Sequence, residues 1–157
     1  MLIVRRLANR PKGSLPVTAE WIDDLSIERY RPMIRLLDGE DLEFLRAQPG
    51  YTPKMASRLR IQRCQIFRGY LRCLHTDFKR VCIAIKVLML QSGHDREDLA
   101  SALVRSQMQF ALGMARVQVQ LMLYRWGLSG VDVGELLSVF DVMRLELRSL
   151  VPAGIEA

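Results

Sequence analysis

The sequence predicts an all-α protein: a bundle of three main helices at about 52–92, 96–126 and 133–151. The first two form a long antiparallel hairpin, with short N-terminal helices packed against it. Three observations lead there. Apolar residues recur at spacings of three and four through each segment, the mark of a helix with one face toward a core. Proline and glycine gather at the segment edges and almost never lie inside them. Half of the 157 residues are apolar, enough for one domain to build a real core and escape disorder.

Residues 1–17 read as a basic, extended arm. Arg5, Arg6, Arg10 and Lys12 give it a charge of +4, and Pro11, Gly13 and Pro16 oppose a helix. Met1 to Leu7 suits an edge strand or a packed tail. Residues 18–157 form the single helical domain. From 18 to 48 the pattern breaks into short pieces. Thr18 caps a turn containing Trp21, and Ser26 precedes a segment to Leu37 that Pro32 interrupts. Asp38 caps Glu40 to Gln48, which stops before Pro49-Gly50. Between Glu20 and Glu43 stand eight acids and three bases, a local charge of −5.

The first long helix starts at Thr52, whose hydroxyl suits an N-cap, with Pro53 at a position where its missing N–H costs nothing. Gly93 suits the left-handed residue that closes it. Gly69 is its one internal glycine, costing about 1 kcal/mol relative to alanine and marking a place for a bend. Leu59, Ile66, Phe67, Tyr70, Leu71, Leu74, Phe78, Val81, Ile85, Leu88 and Met89 fall on one arc. Lys54, Arg58, Arg68, Arg72, Lys79 and Lys86 fall on the opposite arc. From Lys54 to Lys86 there are nine bases and one acid, Asp77. Asp77 and Arg63 lie within the apolar arc, where a charge must be paired. The acidic segment 20–43 is the expected internal partner of the basic stripe.

The second helix runs from about Arg96 to Trp126, with Asp95 as cap and Gly127 or Gly130 as terminator. Arg105, Gln109, Arg116 and Gln120 form one polar stripe, and Gln107, Gln118 and Arg125 a thinner one. The two apolar arcs between them place this helix centrally, with neighbours on both sides. Gly113, beside Ala111 and Ala115, permits a close helix approach, inside the bundle or at a dimer seam. The third helix runs from Val133 to about Val151. Asp132-x-x-Glu135 resembles a capping box, Leu136, Leu137, Phe140, Met143, Leu147 and Leu150 form its core face, and Pro152 stops it. The short Gly93–Asp95 turn sets Asp77 opposite Leu112, so that Gln109 or Arg116 meets it. Arg63 then lies near Arg125 and Trp126. Arg63, Asp77, Gln109 and Arg116 are thus the candidate buried polar cluster.

Function is less legible. The net charge is +6, and 19 of the 23 basic residues are arginine, suited to bidentate contacts with carboxylate or phosphate. Cys64, Cys73 and Cys82, each nine residues from the next on one helix, lie roughly 13 Å from their neighbours in this row and cannot bridge within it. Free thiols fit a reducing compartment, so a cytoplasmic location is expected. The apolar start is too short for a signal peptide, and the longest charge-free stretch, Ser106–Ala115, is half of what a membrane span needs. No phosphate loop, dinucleotide fingerprint, nucleophile elbow or metal-binding helix occurs, and His75 and His94 read as surface residues. No catalytic residue, cofactor, metal or small-molecule substrate is therefore expected. The expected function is a non-enzymatic helical interaction or scaffold protein that self-associates or binds a protein partner. A basic nucleic-acid-binding or regulatory protein is the alternative. Peripheral attachment to an anionic membrane surface is the next.

Overall fold

The computed structural model describes residues 17–93, 96–128 and 130–151. Expectations for the basic arm up to Pro16, the Asp95 cap, His94, Ser129 and the Pro152 stop lie outside them. The described residues are helical with no strand, and three long helices pack together as a bundle preceded by short ones.

Short polar caps organise the N-terminal region. The Thr18 hydroxyl accepts the N–H of Trp21 at 3.3 Å and opens α1, Ala19–Asp24. The Ser26 hydroxyl accepts the N–H of Glu28 and opens a 3₁₀ turn, Ile27–Tyr30. Pro32 does not interrupt a helix as expected: it sits in the first turn of α2, Arg31–Leu36, where its missing donor is harmless. Asp38 binds the N–H of Gly39, and Gly39 is the cap of α3, Glu40–Arg46, which is shorter than the predicted piece.

The long helix α4 spans Pro53–Gln91, 39 residues, and ends at Gly93 with φ of 63°. Thr52 holds the extended backbone of an N-cap, but its side chain makes no cap bond. Helix α5 spans Glu97–Arg125. Its end is a Schellman turn: Leu128 N–H reaches the Leu123 carbonyl, Gly127 N–H reaches that of Tyr124, and Gly127 takes φ of 79°. Helix α6, Gly134–Leu150, begins without the expected capping box. Asp132 accepts the N–H of Gly134, while the Glu135 carboxylate leaves the helix end to pair with Arg116.

The antiparallel hairpin of α4 and α5 is fixed by aromatic stacking. The rings of Phe78 and Phe110 lie 3.8 Å apart and nearly parallel, and the His75 ring stacks on Phe110 at 6.1 Å. Helix α6 packs against both arms of the hairpin, and α4 also carries α2 and α3. The central helix is therefore α4, not α5. Phe67, Leu71, Leu74, Val81 and Ile85 of α4 are buried together with Leu136, Phe140 and Leu147 of α6. Gly113 serves the internal contact: a Cβ there would meet the Leu136 Cδ1 at 3.1 Å.

Candidate interaction surfaces

Asp77 is the only buried charged residue among those described, 6% exposed. It does not meet α5. The Tyr30 hydroxyl donates to its Oδ2 at 2.6 Å, Arg29 stands 3.5 Å from the same oxygen and Arg80 3.8 Å from the other. The hairpin register is close to that expected, but Asp77 points away from Phe78 and Phe110, toward the 3₁₀ turn. Burial pushes the Tyr30 hydroxyl well above the ordinary tyrosine range, and the adjacent carboxylate pushes it further. It stays a neutral donor. This cluster anchors the N-terminal region to α4, with Asp77 and Tyr30 buried and Arg29 and Arg80 reaching partly into solvent.

The expected four-residue cluster does not assemble. Arg63 is mostly buried and pairs with Asp41, while also donating to the Asp38 carbonyl at 3.1 Å. It lies beside Tyr124, near the α5 end as expected. Arg116 is exposed and pairs with Glu135 at 3.2 Å, and Gln109 is exposed too. The physical reason is face rotation: 100° per residue turns positions 109 and 116 from the α4 contact toward solvent. Burial raises the Tyr124 hydroxyl, with the Arg63 guanidinium acting in the opposite direction. That hydroxyl is buried with no hydrogen-bond partner among the described residues.

A cleft of about 270 Å³ lies beside it, lined by Leu42, Glu43, Arg46, Arg60 and Gly127. The Arg60 guanidinium rests against Gly127, within 3.2–3.4 Å of where a Cβ would stand. The negative end of α5 points into this corner, so the guanidinium complements the helix terminus. No group of three His, Cys, Asp or Glu among the described residues is placed to hold a metal ion. Burial raises the Cys64, Cys73 and Cys82 thiols, and all three are free.

Two helix faces stand out among the exposed described residues. On α4, Lys54, Arg58, Arg72, Lys79 and Lys86 are exposed and Arg68 is half-buried. Among the described residues none of the six is in an ion pair. Three of the eight acids expected to cover them are engaged elsewhere: Asp23 with Arg148, Glu28 with Arg31, Asp41 with Arg63. Helices α2 and α3 pack on a different side of α4, where Asp77 and Arg63 point, and five of the six stripe residues stay exposed.

The second face is on α5. Its second apolar arc was expected against a neighbour, yet Val104, Met108, Leu112, Val119, Met122 and Trp126 are all more than half exposed. With Ala111 and Ala115, also exposed, they fall within about 100° of arc. The buried face of α5, with Leu103, Phe110, Val117 and Leu121, lies on the opposite side. The two-sided pattern was visible in the sequence. That its second side faces solvent was not, because nothing local says which arc meets the rest of the chain. Tyr30 as the partner of Asp77 carried no sequence signal at all, being 47 residues away in a short aperiodic turn.

No family model matches this chain, and no curated protein or solved structure is similar to it at a significant level.

Proposed function

We propose that this chain is a non-enzymatic helical interaction module that self-associates through the exposed stripe of α5. One observation carries the reading: seven of the eight stripe positions are palindromic. Positions 104, 108, 111, 115, 119, 122 and 126 repeat the same spacing in either direction from Ala115, and the eighth, Leu112, falls opposite Gln118. Laid antiparallel on a second copy with a two-fold axis at Ala115, Val104 meets Trp126 of the other copy and Met108 meets Met122. Ala111 meets Val119, and Ala115 meets itself. An isologous contact requires this self-complementarity. Small residues fall at the crossing point, where two backbones come closest, and flexible methionines stand on both sides of it.

The size is adequate. The stripe is roughly 33 Å long at 1.5 Å per residue. Covering side chains that are half to two-thirds exposed removes on the order of 600 Å² per copy, near the ~800 Å² per partner of a standard interface. An uncovered apolar run of this length is also unusual on a monomer.

The test is light scattering after size exclusion, together with cysteine cross-linking. A particle of twice 18.0 kDa is expected. Ala115→Glu sets two like charges face to face at the axis and should give the monomer with an unchanged helical spectrum. Ala115→Cys should form a disulfide-linked dimer on mild oxidation. Val104→Cys should cross-link only when mixed with Trp126→Cys. A monomer at all accessible concentrations sinks the proposal, and so does a dimer indifferent to Ala115→Glu.

A further inference from the structure

We infer that the outer face of α4 docks on an anionic lipid surface. The face is built by sequence and cleared by the fold. Lys54, Arg58, Arg68, Arg72, Lys79 and Lys86 lie within about 80° of arc, at 100° per residue. The only acid in α4, Asp77, is buried on another side and held by Tyr30, Arg29 and Arg80. Three acids of the described N-terminal segment, Asp23, Glu28 and Asp41, pair with arginines outside the stripe. The six charges therefore act on whatever approaches from outside.

Two features select the occupant. The first is shape. From Lys54 to Lys86 the charges run in line for roughly 48 Å along one helix. A plane of headgroups can be met by all six at once. A duplex presents its phosphates as a curved ridge that returns to the same side only every ~34 Å, so a straight line of charges meets it in patches. The second is what lies among the charges. Ile83, Val87 and Leu90 are exposed on the same side as Lys79 and Lys86, and Leu90 is 83% exposed. Aliphatic side chains at the end of a basic helix face enter the boundary between headgroups and acyl chains, while the lysine stems reach outward to phosphate. A phosphate backbone offers those aliphatics nothing. The surface is peripheral, since no helix among the described residues is long and apolar enough to cross a membrane.

The experiment is sedimentation of the full chain with vesicles at physiological ionic strength. Three probes are compared: phosphatidylcholine vesicles, the same vesicles with about a third phosphatidylserine, and a short duplex DNA. Binding to the phosphatidylserine vesicles and not to pure phosphatidylcholine is expected. Neutralising Arg72, Lys79 and Lys86 to Gln together should weaken it roughly a hundredfold, about fivefold per charge. Ile83→Gln with Leu90→Gln removes no charge and no buried group. It should weaken vesicle binding severalfold and leave any residual binding to duplex unchanged. All of these positions are exposed, so a melting curve matching the parent excludes loss of fold. Equal binding to both vesicle types overturns the inference. So does tighter binding to duplex than to anionic vesicles, or an Ile83/Leu90 variant that binds vesicles as the parent does.

Discussion

Replacing Tyr30 with Phe removes one oxygen from the most buried polar contact in the molecule. The ring stays: it packs edge-on to Phe140 at 5.9 Å and 81°, and the residue is 1% exposed, so no cavity forms. What is lost is a 2.6 Å hydrogen bond to a carboxylate, worth about 1.5–3 kcal/mol when one partner is charged. Asp77 keeps Arg29 and Arg80, both about a third exposed, so its charge is not stranded and the lower half of that range applies. About 2 kcal/mol is expected, or a melting point roughly 4–8 °C lower for a domain of this size. Asp77→Ala should cost more, about 3 kcal/mol, because it strands the buried Tyr30 hydroxyl and removes the anchor for Arg29. The double variant should lose less than the sum by about 2 kcal/mol, the coupling of the pair. Urea unfolding followed by far-UV circular dichroism measures all three. A Tyr30→Phe loss under about 0.5 kcal/mol, the scale of an ordinary surface change, would refute the reasoning.

Stability should fall in alkali. A Tyr30 hydroxyl raised in the folded state contributes stability that is complete below pH ~10 and is lost as pH climbs through the ordinary tyrosine value toward the folded one. The gap between parent and Tyr30→Phe should therefore narrow above pH ~10, by at most about 1.4 kcal/mol per pH unit; a gap that widens contradicts this. Gly69→Ala, in open space on α4, should stabilise by about 1 kcal/mol. Gly113→Ala should fall short of that by at least ~1 kcal/mol, because its methyl presses on buried Leu136 at 3.1 Å. Equal melting shifts for the two would show that α5 and α6 are not this close. Of the three thiols, Cys73 is half-buried while Cys64 and Cys82 are buried, and burial raises all three. A thiol-specific disulfide reagent should react with Cys73 first and with the other two mainly after urea unfolding. Three equal fast phases would show an open core.

Helix boundaries were readable because they depend on local chemistry. Pro53 and Gly93 bracket α4, Gly127 closes α5, and Leu136, Leu137, Phe140, Met143 and Leu147 recur on the buried side of α6. The burial of Asp77 was readable too, as a charge on an apolar arc. Its partner was not, since periodicity relates residues within one helix and says nothing of a turn 47 residues away. Caps were only half legible. Thr52 and Asp132 stand where capping residues belong, yet Thr52 makes no cap bond and Asp132 closes a turn one residue outside the helix.

The sequence by itself determined the helices, their order and the antiparallel hairpin, because spacing, caps and a short connection are properties of neighbouring residues. Only the tertiary structure decided which faces stay in water. Helix α5 has two apolar arcs of similar strength, and both could be core. The Phe78–Phe110 stack and the Gly113–Leu136 approach commit one of them to α4 and α6. The other, centred on Ala115, is left outward. The same packing draws the acids at Asp23 and Asp41 to Arg148 and Arg63, and five of the six stripe residues of α4 stay exposed. Charge pattern and hydropathy are written residue by residue, but exposure is a competition among all faces for one interior.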